Sequence, residues 1–355
     1  MIYTYNPLDN HKIEKLHNYI EHFFNKMFSL NLTTFDENAL LHPEFREVVN
    51  SYEQQIKQKL ETVFVKYTSL TEAEKREFKN AYLSNNNIPA ICAGTATPVK
   101  YEQLPSSIQE SIKDLCANLW KPILGYSEIK NLCGSIKEHF DEFTNDDHQV
   151  AKVCPFCGLE SLLSHYDDGR DDYDHYIPKG QYPFNSINFK NLVPMCHKCN
   201  SKYKGQIDPV FTQDRPPRRR TLFYPYDISL GDYKIKVTIK SDSIVLKKDT
   251  AFDVEISSEP INHHDKIVSW MQVFKIKNRY IAEIKSRESI WKQHLHKKYL
   301  KRKVTPGFSH SEFIEDIGDD IMDYRLQEKA IVQRAYYEFI FSQDDLEASL
   351  NSEIV

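Results

Sequence analysis

Two Cys-x-x-Cys pairs, Cys154/Cys157 and Cys196/Cys199, constrain the fold of this chain more than any other feature of its sequence. Soft thiolate ligands at this spacing are typical of a tetrahedral structural zinc site. The segment between the pairs, 158–195, is longer than the roughly 15–20 residues that a simple zinc ribbon encloses. The sequence therefore predicts one structural Zn2+ bound by four cysteines, with further structure enclosed between the two pairs.

Other interpretations of these cysteines remain open. They could be ordinary buried residues, or the ligands of a zinc ribbon that has no activity. His197, inside the second pair, could replace one thiolate as a ligand. The single cysteines Cys92, Cys116 and Cys133 are expected to be buried apolar residues.

The composition, with 40% hydrophobic and 27% charged residues, is that of an ordinary soluble globular protein. No run approaches the ~20 apolar residues that span a bilayer. The first residues lack the basic start and apolar stretch of a signal peptide. We therefore expect a cytoplasmic protein without a membrane partner, in which paired cysteines bind metal rather than form disulfides.

A second, harder metal site is predicted from the residues around the second cysteine pair. Asp174 and His175 are expected on a strand, and Asn200 is expected to open a helix that runs through Lys202 and Lys204. A strand, a second strand or loop, and this helix would bring Asp174 and Asn200 together as oxygen ligands for Mg2+ or Mn2+. His175, on the other face of the strand, could then take a proton from water near neutral pH.

This stretch resembles the HNH endonuclease family, whose core is the ββα-metal fold. The resemblance covers residues 154–205 alone. One variation is that Asn replaces the final His of the pattern, as it does in many members of the family. The matching elements are Asp174-His175, Pro178-Lys179, Asn191-Leu192, Asn200 with Lys202, and the two cysteine pairs of the zinc-stabilised branch.

The resemblance implies a role for each matching residue. His175 would be the general base for the attacking water, and Asp174 and Asn200 would hold one divalent ion on the scissile phosphate. Asn191 would brace the loop that orients His175. The expected products carry a 5′-phosphate and a 3′-hydroxyl, with DNA as the substrate and RNA not excluded.

Charge is unevenly distributed although the net charge is only −5. Residues 201–303, here called the basic block, carry 23 Lys and Arg against 12 Asp and Glu, whereas residues 1–150 are net negative. A positive region next to the predicted site suits a polyphosphate ligand. Several basic residues near the predicted site are predicted to contact nucleic acid, and the alternative for each is an ordinary solvated side chain or an exposed linker. These residues are Lys179, Lys202, Lys204, Arg218, Arg219 and Arg220.

The hydrophobic periodicity predicts an α+β fold, mainly α, with three domains. A helical domain at 1–148 contains a loop at 84–106. A ββα-metal domain with zinc knuckles follows at 149–210. The third domain, 211–355, is predicted as an antiparallel β-hairpin with a basic outer face followed by long helices.

We therefore predict a metal-dependent HNH endonuclease. The stretch TLFYPYD, 221–227, resembles HNH proteins that work beside ATPases in bacterial anti-phage defence. An ATPase or another defence subunit, or a second copy of the chain, is thus an expected partner. The alternatives are a zinc-knuckle nucleic-acid-binding module or scaffold that does not cut, and an RNA-cleaving nuclease.

Overall fold

The computed structural model describes residues 1–230, 233–244, 246, 250–320 and 325–351. The fold is mainly helical with two small antiparallel sheets, as predicted for an α+β chain rich in helix. The division into three domains stays a prediction.

The N-terminal part is a set of helices, as predicted for residues 1–148. The longer helices have an apolar stripe at the 3.6-residue period, and these stripes pack on one another. The helices are α1 (Glu14–Ser29), α2 (Glu37–Leu40), α3 (Pro43–Ser51), α4 (Gln58–Thr68), α5 (Glu72–Asn86), α6 (Ile88–Ala93), α7 (Gln109–Trp120), α8 (Ser127–Cys133) and α9 (Ile136–Phe143).

Helix α6 lies in a segment, 84–106, that was predicted to be a loop, so the prediction was wrong there. The side chain of Asn87 caps the first turn by accepting a hydrogen bond from the amide of Ala90 at 3.2 Å. Gly94 ends the helix in the left-handed region with a φ of 82°. The helix is only six residues long, which is too short to give a clear periodic pattern.

The described apolar side chains form two cores. One lies among the N-terminal helices and reaches Phe184 and Phe189 of the central segment. The other gathers the four paired cysteines, the first residues of the chain and the C-terminal helices. The segment 149–210 therefore contributes side chains to both cores.

The central and C-terminal elements complete the fold. Two short strands pair in antiparallel register, and a longer hairpin does the same. None of the helices that the structure describes is both long enough and apolar enough to cross a membrane. The elements are β1 (Tyr173–His175), β2 (Leu192–Pro194), a wide helical turn (Lys198–Lys204), β3 (Lys234–Lys240), β4 (Asp253–Glu259), α10 (His264–Phe274), α11 (Ile276–Lys303), α12 (His310–Asp320), α13 (Ala330–Phe341) and α14 (Leu346–Asn351).

The outer face of the β3–β4 hairpin differs from the predicted basic surface. The lysines of β3 are exposed, as the alternation predicts, but β4 places carboxylates beside them. Lys236 lies 3.6 Å from Glu259, and Lys240 lies 3.5 Å from Glu255. The positive charge of this strand is therefore largely compensated by its partner.

The loop 155–158, which follows Cys154 and contains Cys157, is held from four distant parts of the chain. The carbonyls of the consecutive residues 155–158 each accept a hydrogen bond. In order, the donors are the amide of Ile2, the indole of Trp270, the hydroxyl of Tyr280 and the amide of Lys329, at 2.8–3.0 Å. Since buried carbonyls need partners, these bonds fix the chain start and the C-terminal helices around this loop.

Gly158 offers a test of this packing. Its φ of 69° disfavours a side chain, and a Cβ would lie 3.0 Å from Ile331 Cγ2 and 3.2 Å from Ile2 Cδ1. We expect Gly158→Ala to lower the free energy of unfolding by about 1–3 kcal/mol, measured by urea unfolding. Gly125→Ala is the matched control, because nothing lies within 4 Å of its added Cβ. Equal stability of the two variants would contradict the packing described here.

Candidate active site

The four paired cysteines converge on one point inside the second core. All are buried, and their Sγ atoms lie within 4.8 Å of one another. The sulfurs of Cys157 and Cys196 are 3.9 Å apart. A tetrahedral ion with Zn–S bonds of about 2.3 Å separates its sulfurs by about 3.8 Å, so the donor set and its spacing fit Zn2+.

Groups around the cysteines suit a negatively charged metal cluster. The guanidinium of Arg279 donates to the Sγ of Cys199 at 3.2 Å and lies 4.2 Å from the ring of Tyr203. Although burial lowers the pKa of Arg279, the adjacent cysteines raise it overall, which keeps the group charged. One positive charge offsets part of the net negative charge of four thiolates with one Zn2+. His197 is exposed and does not belong to the cluster.

Asp174 lies on β1 opposite Val193 of β2, and its side chain is almost fully buried. Its Oδ1 accepts a hydrogen bond from Lys204 Nζ at 3.1 Å. Oδ2 lies 2.8 Å from the same nitrogen but makes no aligned hydrogen bond. Burial raises the pKa of Asp174, and Lys204 opposes this rise. One carboxylate oxygen thus keeps acceptor capacity for a further cation.

Lys204 was predicted to be a nucleic-acid contact, and the structure places it differently. Its side chain is 1% exposed, and Nζ also donates to the carbonyl of His175 at 2.9 Å. The wide helical turn Lys198–Lys204 directs this side chain inward, toward the buried Asp174. An ammonium group buried in this way serves as the counter-charge of Asp174 and is not available on the surface.

His175 is buried at the end of β1 with its ring fixed on two sides. Its Nε2 lies 2.8 Å from the carbonyl oxygen of Ser186, and its ring meets that of Trp120 edge to face at 4.6 Å. Because a carbonyl only accepts, Nε2 carries the proton and Nδ1 has the lone pair. Burial, followed by the nearby Lys179, lowers the pKa of His175 to about 3. The imidazole is therefore neutral near pH 7.

Asn191 is completely buried immediately before β2 and bonds to the chain beyond His175. Its Oδ1 accepts from the amide of Ile177 at 2.7 Å, and its Nδ2 donates to the carbonyl of the same residue at 2.9 Å. These two bonds use both ends of the carboxamide and fix the path of the chain two residues after His175.

Asn200 directly follows Cys199 in the wide helical turn and is half-buried. It lines a cleft of about 830 Å3 together with Asp174 and His175. The three residues that the sequence singled out for hydrolytic chemistry thus face one cavity.

The cleft also contains residues that the sequence did not single out. Several come from the N-terminal helical part, because α7 and the residue after it form part of the lining. For Lys113 and Lys121, the only signal in the sequence was one lysine within an amphipathic helix and another directly after it, a pattern that usually marks a solvated surface. The added residues include Tyr101, Lys113, Trp120, Lys121 and Arg170.

The other predicted nucleic-acid contacts occupy different environments. Lys179 lines the cleft, whereas Lys202 is exposed outside its lining. Arg218 is exposed and pairs with Asp214 at 2.6 Å.

Arg219 and Arg220 were predicted to line a nucleic-acid groove, and their positions differ from that expectation. Both are half-buried, and their guanidinium groups donate to backbone carbonyls. Arg219 bonds to the carbonyls of Ile91 and Ala96, and Arg220 bonds to that of Phe211. Because a guanidinium has several donors, each arginine here joins neighbouring segments of the chain.

Two known proteins are similar to part of this chain. The Septu protein PtuB of Bacillus thuringiensis is 23% identical over 161 residues, which is 41% of this chain and 60% of that protein. Protein ea31 of Escherichia phage lambda is 35% identical over 85 residues, or 22% of this chain and 26% of that protein. The matches thus span less than two thirds of either protein. No protein family and no solved structure matches the chain.

The four-cysteine cluster predicts that the protein contains zinc. Elemental analysis of the purified protein should find about one zinc per chain. Cys157→Ala should lose the zinc and lower the unfolding temperature. Cys116→Ala, which removes a buried thiol outside the cluster, should keep the zinc. Zinc-free wild-type protein, or full zinc in Cys157→Ala, would contradict the four-cysteine site.

The Asp174–Lys204 pair predicts non-additive effects on stability. Lys204→Met leaves a buried carboxylate without its counter-charge and should lower the free energy of unfolding by about 3–5 kcal/mol. Adding Asp174→Asn removes that charge and should recover part of the loss. Urea unfolding of both zinc-loaded variants measures this difference. A double variant no more stable than Lys204→Met would show that the stability lost in Lys204→Met does not come from the unpaired charge of Asp174.

Proposed function

We propose that this protein is a metal-dependent endonuclease of the HNH type that hydrolyses phosphodiester bonds of DNA. The observation that carries the proposal is the convergence of Asp174, His175 and Asn200 on one cleft rich in basic side chains. The order strand, strand, helical turn in this segment agrees with the ββα-metal core that the sequence resembles.

His175 is the proposed general base. Its Nε2–H is held by the carbonyl of Ser186, so Nδ1 is the atom that would take a proton from the attacking water. A neutral ring is the form that this step requires. Asn191 acts as a positioning residue, because its two bonds to Ile177 hold the chain that follows the base.

Asp174 and Asn200 are the residues that would hold a divalent ion. A carboxylate oxygen without an aligned hydrogen bond and a carboxamide oxygen are hard donors of the kind that Mg2+ and Mn2+ prefer. Such an ion, when bound, offsets the charge that develops on the phosphate and on the leaving oxygen. The resemblance to the HNH family implies products with a 5′-phosphate and a 3′-hydroxyl.

We further propose that the nuclease serves bacterial defence against phage. Two findings support this role. Residues 221–227 resemble HNH proteins that work beside ATPases in such defence, and the chain is similar to the Septu protein PtuB. An ATPase or another defence subunit is the proposed partner, and it could control when the nuclease cuts.

Plasmid cutting tests the proposed activity. Wild-type protein with Mg2+ or Mn2+ should nick or linearise supercoiled plasmid. His175→Ala removes the base and should slow the cutting by about 10²–10⁴-fold, measured from agarose gels over a time course.

The matched control is His264→Ala, which makes the same substitution at an exposed histidine outside the cleft. It should cut as fast as the wild-type protein. Cutting that persists in His175→Ala at the wild-type rate would remove the proposed base. Wild-type protein that binds plasmid without cutting it would favour the non-cutting binding module.

A further inference from the structure

The cleft around Asp174 and His175 has a basic wall that belongs to the N-terminal helices. Lys113 lies on α7, and Lys121 directly follows the last residue of that helix. Lys179, in the turn after β1, lines the same cleft. Residues 1–150, which are net negative, thus contribute basic residues to the candidate active site.

These three lysines differ in their partners from the lysines of the β3–β4 hairpin. Within the described ranges, none of the three has a carboxylate at ion-pair distance. Lysines of the basic block such as Lys236 and Lys240 do have one. Burial and then the like charge of Lys121 lower the pKa of Lys179, and a polyanion in the cleft would relieve that repulsion.

Aromatic rings line the cleft beside these cations. Tyr101 and Trp120 are both half-exposed. Lys113 Nζ lies 5.0 Å from the centre of the Tyr101 ring, and Trp120 meets the ring of His175. A positively charged groove with aromatic rings on which bases stack is the arrangement that binds single-stranded nucleic acids.

The depth of the site favours the same ligand. Asp174 is 6% exposed and His175 is 8% exposed, at the base of a cleft of about 830 Å3. A duplex is stiff over about 150 base pairs and carries its phosphates on a regular surface. An unpaired strand lacks this stiffness and can bend a phosphate into a recess.

We propose that the cleft takes a single-stranded nucleic-acid segment, such as a flap, a loop or an overhang, against a wall formed by Tyr101, Lys113, Trp120 and Lys121. This inference rests on the proposed nuclease function and names the substrate class of that site. It assigns the N-terminal helical part a direct role in substrate binding.

Fluorescence anisotropy tests the inference with zinc-loaded His175→Ala protein and no added Mg2+ or Mn2+. The probes are a labelled DNA strand of about 12 nucleotides, its duplex, and the RNA strand of the same sequence. At least one single strand should bind about tenfold or more tightly than the duplex. Tight binding of either strand supports the inference, and comparing the two identifies the preferred sugar.

Charge variants in the same background locate the binding surface. Lys113→Gln with Lys121→Gln should weaken single-strand binding about tenfold and reduce the salt slope by about 1.4, since each lost phosphate contact removes about 0.7. Lys236→Gln with Lys240→Gln removes the same charge from the hairpin and should leave binding unchanged. Duplex binding as tight as that of both single strands, or an equal loss in the hairpin variant, would overturn the inference.

Cutting assays on plasmid and on the labelled DNA and RNA single strands, with added Mg2+ or Mn2+, separate this inference from the proposed function. If the wild-type protein cuts no nucleic acid but single-strand binding depends on Lys113 and Lys121, the nuclease proposal fails and the binding site stands. If it cuts while binding shows no preference for unpaired strands, the nuclease proposal stands and the single-strand inference fails.

Discussion

The rest of the structure depends on the loop 155–158, which directly follows Cys154 and contains Cys157 of the candidate zinc site. Its four carbonyls are bonded from the chain start, α10, α11 and the beginning of α13. Each buried carbonyl would cost free energy if left unpaired, so the four donors hold distant segments to the same loop. A zinc ion on the four thiolates would fix the other side of this loop and so connect metal binding to folding.

The same cluster orients the candidate active site through short stretches of chain. Strand β2 leads from Asn191 to Cys196, and Cys199 is followed directly by Asn200. The wide helical turn that carries Cys199 also ends at Lys204, which pairs with Asp174. The candidate zinc site, with its soft thiolate ligands, therefore positions Asp174 and Asn200, the residues that we propose would hold a hard divalent ion. This separates the ligands that stabilise the fold from the groups that we propose do the chemistry.

A segment that is basic in the sequence need not form a basic surface in the folded protein. The net charge of residues 201–303 is positive, but β4 supplies carboxylates to the lysines of β3. Arg219 and Arg220 bond to backbone carbonyls. Among the described residues, three lysines at the cleft lack a carboxylate partner; Lys113 and Lys121 come from α7 and its end, and Lys179 follows β1. Net charge over a segment reports composition, whereas the field at a site depends on which opposite charges lie within a few ångströms.

The sequence by itself determined the features that depend on near neighbours. The periods of 3.6 and 2 predicted most helices and the β3–β4 hairpin, and the cysteine spacing predicted the cluster. It also singled out Asp174, His175 and Asn200, which line one cleft. Only the tertiary structure decided that Lys204 is buried against Asp174 and that α7 lines this cleft. Those contacts join residues far apart in the chain, and they follow from how whole elements pack, which local patterns do not specify.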